Sequence, residues 1–125
     1  MRILLAEDDM NISTIAKLAL EHIGGHTVDL ATDGEAALEK ALHGTYDLIL
    51  LDEMMPKKNG IAVCQEYLAQ KQSPTPVIFM SANTQESSVT AFHQLGVGHI
   101  PKPFDPATLN QQIAELLRKG SRKAA

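Results

Sequence analysis

The stretch DLILLDE (Asp47–Glu53) sets a continuous apolar run directly before two acidic residues. The residues Leu48–Leu51 do not alternate with polar ones, which is typical of a strand whose two faces are both covered by helices. Such strands occur in parallel sheets, and chemistry in these sheets gathers at the carboxyl ends of the strands. The stretch therefore predicts a buried parallel strand over Asp47–Leu51 that delivers Asp52 and Glu53 to that end.

Short apolar runs and helical patterns alternate along the rest of the chain. The other predicted strands are Arg2–Ala6, Thr27–Ala31, Val77–Met80 and Gly98–Ile100. Between the strands the apolar residues change to helical spacing, and the weakest such pattern lies over Thr84–Leu95. The clearest helical stripe consists of Ile12, Ile15, Ala16, Ala19 and Ile23. The alternation of strand and helix predicts an α/β fold with right-handed crossovers.

Five βα units of this length predict a doubly wound, flavodoxin-like sheet with helices on both faces. The common order of five parallel strands in such a sheet is 2-1-3-4-5, which makes the fifth strand an edge. Pro101 ends that strand, and a proline, which has no N–H to donate, is tolerated at an edge. The position of this proline therefore favours the order 2-1-3-4-5.

The composition limits the classes of protein to which the chain can belong. Its 125 residues fit one domain, and 44% hydrophobic with 21% charged residues are typical of a globular protein. The net charge of −4 gives no general attraction to nucleic acid or to an anionic membrane. Cys64 is the only cysteine, which excludes an internal disulfide, and its place on an apolar stripe predicts a buried thiol. We therefore expect a cytoplasmic domain that neither enters a membrane nor binds nucleic acid directly.

Capping signals predict where several helices begin. Three polar residues are predicted caps, each with a supporting residue in the first turn of its helix. They are Thr32 with Glu35, Asn83 with Glu86, and Asp105 with Pro106. The polar segment 120–125 predicts a flexible tail. We therefore expect residues 1–119 to form the folded domain.

Polar side chains follow strands that the predicted order makes neighbours. Acids follow the first and third strands, a hydroxyl ends the fourth and an ammonium follows the fifth: Glu7, Asp8, Asp9, Asp52, Glu53, Ser81 and Lys102. Because the carboxyl ends of parallel strands lie at one edge of the sheet, we expect these groups to converge. Clustered carboxylates need a cation, and oxygen ligands suit Mg²⁺, which leaves positions for phosphoryl oxygens. The sequence therefore predicts a phosphoryl site, in which a carboxylate can act as the nucleophile.

Four motifs carry these residues in a fixed order along the chain. They are LLAEDD (Leu4–Asp9), LILLDEMMPKKNG (Leu48–Gly60), MSA (Met80–Ala82) and KPF (Lys102–Phe104). In this order and at these spacings they resemble the receiver domain of two-component response regulators, and the chain is similar to the single-domain chemotaxis-type regulator. The resemblance covers essentially the whole chain, from Ile3 to about Lys119. It implies a switch that takes a phosphoryl group from a sensor histidine kinase or a phosphotransfer protein and then changes its partner-binding surface.

The resemblance implies a role for several positions of the predicted site. It makes Asp52 the phosphoacceptor, and it makes Ser81 and Lys102 the groups that bind the phosphoryl oxygens. The implied Mg²⁺ ligands are the carboxylates of Asp8, Asp9 and Asp52 and the backbone carbonyl of Met54. The Mg²⁺ ligands and the two phosphoryl-binding residues together come from four separate parts of the chain, so the implied site depends on the predicted order of the strands.

Further positions complete the resemblance or depart from it. Met54 and Asn83 lie two residues beyond the acceptor and the hydroxyl, where the family tunes the lifetime of the phosphate. The peptide bond before Pro103 is implied to be cis. His99 stands where the family usually has an aromatic switch residue, and an imidazole at that place can also titrate. Pro101, beside the lysine, is also unusual and would stiffen the fifth strand.

Other classes of function fit the sequence less well. An interaction module that is not phosphorylated has no need of the full set of acids, hydroxyl and lysine. A flavin carrier would need aromatic walls, and a phosphatase would need its nucleophile after the first strand in a DxD arrangement. We therefore expect no enzyme for a separate substrate, only self-phosphorylation from small donors and self-dephosphorylation. The expected output is a downstream effector or an output domain outside this sequence, with the domain a monomer or a weak phosphorylation-dependent dimer.

Overall fold

The computed structural model of the protein describes residues 1–82 and 85–124, with side chains up to Gly120. Its strands are β1 (Arg2–Ala6), β2 (Thr27–Ala31), β3 (Leu48–Asp52), β4 (Val77–Ser81) and β5 (Gly98–Pro101). Its α-helices are α1 (Met10–Leu18), α2 (Gly34–His43), α3 (Gly60–Gln70), α4 (Glu86–Leu95) and α5 (Leu109–Ala124). A π-helical turn over Ala19–Ile23 follows α1 directly.

The strands form one parallel sheet in the order β2-β1-β3-β4-β5. The central strand β3 pairs with β1 and β4, so Leu50 stands in register with Leu5 on one side and Ile78 on the other. β5 is an edge strand, in which Pro101 stands in register with Ser81. The predicted doubly wound fold and its strand order are confirmed.

Helices cover both faces of the sheet and form two apolar cores. On one face α1 and α5 pack against β1, and Leu5 and Ile113 belong to the same buried cluster. On the other face α2, α3 and α4 pack, and Phe79 stacks on Phe92 with ring centroids 4.9 Å apart. Cys64 is fully buried in this second core, as predicted, and burial raises the pKa of its thiol to about 12. The residues at the carboxyl ends of the strands lie outside these two cores, at one end of the sheet.

Three strands, β3, β4 and β5, end one residue later than the sequence predicts, and β5 ends at Pro101 rather than Ile100. β3 runs over Leu48–Asp52 rather than Asp47–Leu51, and Asp52 stands in register with Met80 of β4. Asp47 precedes the strand, where its N–H donates to the Arg2 carbonyl and its Oδ2 accepts from the Arg2 N–H, both at 2.8 Å. β4 includes Ser81, whose carbonyl accepts from the backbone N–H of Lys102 at 3.0 Å. The last residues of β3 and β4 are therefore held by the pairing of neighbouring strands in the sheet.

The cap of α2 differs from the prediction by one residue. Asp33, and not Thr32, is the N-cap, and its Oδ1 accepts from the backbone N–H of Ala36 at 2.8 Å. A carboxylate is a stronger acceptor for this orphan N–H than a hydroxyl, which explains the shift. For α4 the predicted cap Asn83 lies outside the described residues, and Gln85 precedes the helix.

Both ends of α5 also differ from the predictions. Asp105 closes a turn, in which its Oδ1 accepts from the Ala107 N–H at 2.9 Å and its carbonyl accepts from the Thr108 N–H at 3.0 Å. Because this first turn has i to i+3 bonding, the regular helix begins at Leu109 and not at Pro106. At its other end the helix reaches Ala124, so the backbone is helical through most of the segment predicted as a tail.

No helix among the described residues combines the length and the apolar character that a membrane span requires.

Candidate functional site

Three carboxylates meet at the carboxyl ends of β1 and β3. Glu7, Asp8 and Asp52 each offer one oxygen, and these oxygens all lie within 4.8 Å of one another. The register that pairs Ala6 with Leu51 sets the residues that follow them side by side. Glu7 and Asp52 are buried, whereas Asp8 is exposed. Acids from the first and third strands therefore converge in the structure.

Lys102 joins two of these acids from the far end of the sequence. Its Nζ lies 2.6 Å from Oε1 of Glu7 and 2.7 Å from Oδ1 of Asp52. The lysine side chain is 15% exposed, and the two carboxylates that it bridges are almost completely buried. The strand β5 ends at Pro101, and the Lys102–Pro103 peptide bond is cis, the geometry that the resemblance implies. A single ammonium is thus placed between two carboxylates on the open edge of the sheet.

Burial and neighbouring groups shift the protonation of this cluster. The pKa of Glu7 is raised to about 7, first because its carboxyl is buried and second because it lies beside Asp52. The pairing with Lys102 opposes this shift without cancelling it. Burial acts to lower the pKa of Lys102, but its hydrogen bonds to Asp52 and Glu7 outweigh burial and raise it. Lys102 is therefore a cation, and Glu7 takes up a proton near neutral pH when no metal is bound.

The structure does not place Asp9 with the other acids, contrary to the prediction of an Asp8–Asp9 pair. Asp9 is the N-cap of α1, and its Oδ1 accepts from the backbone N–H groups of Asn11 at 2.9 Å and Ile12 at 3.2 Å. Its side chain is exposed and lies outside the three-carboxylate cluster. The acidic pair beside the acceptor is therefore Glu7 with Asp8.

The alternation of side chains along β1 explains this shift by one residue. The backbone N–H of Glu7 still donates to the carbonyl of Ala31 at 3.0 Å, so the strand geometry continues through this residue. Ile3 and Leu5 face the core of α1 and α5, and Glu7, two residues beyond Leu5, keeps the same side of the strand. This period of two, visible in the sequence, is the signal that identifies Glu7 as a member of the cluster.

A second hydrogen bond crosses the site between β3 and β4. The hydroxyl of Ser81 donates to Oε1 of Glu53 at 2.6 Å, and both side chains are buried. The backbone N–H of Glu53 donates to the carbonyl of Met80 at 3.0 Å, which fixes the start of the loop after β3 against β4. The sequence predicts Glu53 at this end of the sheet but indicates no role for it, because the contact with Ser81 is set by tertiary structure.

These groups surround one small open cavity of about 220 Å³. Its lining residues are Asp52, Glu53, Met54, Ser81, Ala82 and Lys102. Met54 is 74% exposed, so its side chain stands at the mouth of the cavity. Asn83, the second predicted lifetime-tuning residue, lies outside the described residues. The cavity brings the predicted acceptor, hydroxyl and ammonium into one space.

The loop after β3 is held close to the acceptor by its own backbone. The N–H of Gly60 donates to the carbonyl of Glu53 at 2.9 Å, and a Cβ at Gly60 would lie 2.4 Å from the carbonyl oxygen of Asp52. The N–H of Gly34 donates to the carbonyl of Pro56 at 3.1 Å. Lys57 adopts a positive φ of 70° in the same loop. Glycine at position 60 therefore permits the close approach that sets the position of Asp52.

His99 lies on β5 in a partly buried ring stack on the α4 side of the sheet. Its ring centroid is 5.5 Å from that of Phe92 and 5.4 Å from that of His93. The Nδ1 atom of His99 lies 3.3 Å from Nε2 of His93. Burial and the neighbouring His93 lower the pKa of His99, so the ring is neutral at pH 7. His99 thus occupies the predicted position on the strand, at the edge of the aromatic core.

Comparisons with known proteins agree with this geometry. Residues 3–114 match the family model of the response regulator receiver domain. The response regulator ArlR of Staphylococcus saprophyticus is 40% identical over 123 residues, which are 98% of this chain and 54% of ArlR. ArlR of Staphylococcus aureus is 37% identical over 123 residues, with 98% and 55% covered. The chain thus spans about half the length of these curated relatives.

Solved structures give the same result. The receiver domain of the Francisella response regulator 1452 superposes with a TM-score of 0.81 at 28% identity and 98% coverage of both chains. The response regulator TrrA of Thermotoga maritima, solved in complex with Mg²⁺ and BeF, superposes with a TM-score of 0.80 at 30% identity, covering 92% of this chain and 97% of that one. This chain belongs to the response regulator receiver domain family, the phosphoacceptor domains of two-component signalling.

Proposed function

We propose that Asp52 is the residue that accepts the phosphoryl group, from the phosphohistidine of a sensor histidine kinase or a phosphotransfer protein. The observation that carries this proposal is the position of Lys102, whose Nζ holds Oδ1 of Asp52 at 2.7 Å on the wall of the cavity. In the reaction an oxygen of Asp52 attacks phosphorus and the P–N bond to the imidazole breaks. The imidazole keeps the electron pair and gains a proton, and Asp52 becomes an acyl phosphate.

We propose that the same residues hold Mg²⁺. The carboxylates of Asp8 and Asp52 and the backbone carbonyl of Met54 are the proposed ligands, with Glu7 in the place that the resemblance assigned to Asp9. This set fits the ion, because Mg²⁺ takes oxygen ligands, uses one or two carboxylates and keeps several waters. When bound, Mg²⁺ supplies positive charge that neutralises the phosphoryl oxygens.

The remaining predicted residues have proposed roles around the acyl phosphate. Lys102 pairs with a phosphoryl oxygen, and the hydroxyl of Ser81 donates to another. Movement of Ser81 reaches His99 through neighbouring strands, since β4 and β5 pair in register. Met54 and Asn83 set how fast water reaches the phosphate. Self-phosphorylation from small donors and self-dephosphorylation are proposed for the same site.

An apolar surface beside the site is proposed as the docking site of the phosphodonor. This surface, the α1 face, consists of Met10, Ile12, Ile15, Leu18, Ile23, Phe104 and Pro106. Met10 is 77% exposed, Leu18 51% and Ile23 62%, and an exposed patch of large apolar side chains is typical of an interaction site. A groove of about 420 Å³ on this face is also lined by Lys102, so it begins at the site itself. A donor helix lying on the α1 face would bring its phosphohistidine to Asp52.

The output of the switch is also a proposal. The curated relatives are about twice as long as this chain, so either a separate effector or an attached output domain reads the phosphorylated surface. We propose that the domain works in the cytoplasm, as a monomer or as a weak dimer that forms on phosphorylation. The buried, unpaired Cys64 is compatible with a reducing compartment.

Phosphorylation by acetyl phosphate with Mg²⁺, followed by intact mass, tests this function. The wild type should gain one phosphoryl group, and Asp52→Asn should gain none because its amide is no nucleophile. Asp8→Asn should need more Mg²⁺, whereas the matched variant Asp9→Asn should behave as the wild type, since Asp9 only caps α1. A labelled Asp52→Asn protein would move the acceptor role to another acid. Equal losses in Asp8→Asn and Asp9→Asn would restore the Asp8–Asp9 pair.

A further inference from the structure

Glu53 is a buried acid on the wall of the site that the mechanism above does not use. It follows the acceptor Asp52 directly, and its side chain is buried together with that of Ser81. The hydroxyl of Ser81 donates to Oε1 of Glu53 at 2.6 Å, the short distance expected when the acceptor carries a charge. Both residues line the cavity that contains Asp52 and Lys102.

The bond between Ser81 and Glu53 competes with the role proposed for Ser81. A serine hydroxyl has one proton and can donate it fully to one acceptor at a time. Donation to Glu53 and donation to a phosphoryl oxygen on Asp52 are therefore alternatives. A change of partner requires the Ser81 hydroxyl to leave a buried carboxylate, and hydrogen bonds to charged groups are stronger than those between neutral groups.

We propose that Glu53 is a positioning residue that holds Ser81 in the unphosphorylated arrangement and so sets how readily the domain switches. This inference rests on the proposed function and goes beyond it, because it assigns the resting partner of the switch hydroxyl. In this role Glu53 acts through Ser81, whose hydroxyl donates to it at 2.6 Å. Loss of this contact makes the hydroxyl proton available to the phosphoryl oxygens and shifts the population towards the conformation of the phosphorylated domain before any phosphate arrives.

The carboxylate of Glu53 has a second effect, which the test must distinguish from the effect through Ser81. It lies on the wall of the same cavity as the incoming phosphoryl group, so its negative charge disfavours that group directly. Removal of the charge therefore favours phosphorylation even without any contact with Ser81. A double-mutant cycle isolates the contact, because the direct charge effect persists when Ser81 is replaced and the effect through Ser81 does not.

The probe is beryllofluoride with Mg²⁺, titrated calorimetrically against the wild type, Glu53→Ala, Ser81→Ala and the double variant. We expect Glu53→Ala to bind about tenfold more tightly than the wild type, as loss of one competing charge-assisted bond implies. In the Ser81→Ala background the same change should alter the affinity by less than about threefold. Glu53→Gln, which keeps an acceptor without the charge, should lie between the wild type and Glu53→Ala. If Glu53→Ala does not fold, Glu53→Gln takes its place in the cycle.

A spectroscopic readout without metal or phosphoryl mimic completes the test. In ¹H–¹⁵N spectra of the free protein, the Met80 and Ile100 amides of Glu53→Ala should move along the line from free to beryllofluoride-bound wild type. Equal gains in affinity with and without Ser81, unchanged affinity, or amides that leave this line would each overturn the proposed role of Glu53. Failure of the wild type to bind, or binding by Asp52→Asn, would instead overturn the proposed function.

Discussion

Replacement of Glu7 by glutamine should change how the stability of the metal-free protein depends on pH. Glu7 is buried, and its pKa is raised from 4.5 to about 7, mainly by burial and then by Asp52. Glutamine has almost the same shape but carries no titratable proton. The two proteins therefore differ in one ionisation, and the difference in their free energies of unfolding reports the protonation of Glu7.

The sign and size of the effect follow from the linkage between proton binding and folding. Between pH 4.5 and about 7 the unfolded wild type releases the proton of Glu7 while the folded protein keeps it. Proton binding by Glu7 therefore stabilises the folded wild type fully below pH 4.5, and this stabilisation is lost as the pH rises to about 7. With one pKa unit equal to about 1.4 kcal/mol, the loss is at most about 3 kcal/mol. The glutamine variant lacks this loss.

Urea denaturation in EDTA, followed by circular dichroism from pH 4 to pH 8, measures the difference. The free energy of unfolding of Glu7→Gln relative to the wild type should rise by up to about 3 kcal/mol across this range. Burial lowers the pKa values of His26 and His99, which gives a slope of opposite sign below pH 6.5 in both proteins, so it cancels in the difference. Parallel stability curves for the two proteins would show that Glu7 ionises normally and would refute the account of the cluster.

Two further predictions concern the close contact at Gly60 and the buried thiol of Cys64. Gly60→Ala should destabilise the protein by about 1–3 kcal/mol in urea denaturation, because its Cβ would meet the carbonyl oxygen of Asp52 at 2.4 Å; unchanged stability would show that the loop is free to move. Cys64, whose thiol pKa burial raises to about 12, should resist iodoacetamide at pH 8 and react once urea unfolds the chain. Rapid alkylation of the folded protein, read by intact mass, would contradict the buried position of this thiol.

The sheet could be predicted from the sequence because its signals are local and repeated. The three inner strands β1, β3 and β4 each show a continuous apolar run, and Pro101 is compatible with an edge, so the strand order followed from general rules of parallel sheets. Errors lie where neighbouring residues offer the same chemistry. Thr32 and Asp33 can both cap α2, and Asp33 takes the position because its carboxylate is the stronger acceptor. The three acids from Glu7 to Asp9 offer the same ambiguity at the site.

The choice among these three acids needed the strand geometry. The resemblance assigned Asp8 and Asp9, but strand alternation carries Glu7 inwards and the start of α1 takes Asp9 as its cap. The contact of Glu53 with Ser81 lay beyond the sequence for another reason. It joins residues 28 positions apart on neighbouring strands, and no local pattern specifies which hydroxyl a buried carboxylate accepts. Local periodicity thus predicts which side of a strand a residue takes, while its partner depends on packing.

The charges of the cluster explain why the proposed switch needs both Lys102 and a divalent cation. With a proton on Glu7, the metal-free site holds the carboxylates of Asp8, Asp52 and Glu53 against one ammonium, which leaves a negative excess. Phosphorylation replaces the charge of Asp52 by that of a phosphoryl group, roughly −1.5 to −2. One lysine cannot balance this group together with Asp8, and like charges in a buried site repel strongly. In the proposed site a bound Mg²⁺ would supply the missing charge, so EDTA should prevent phosphorylation even though every proposed protein ligand is in place.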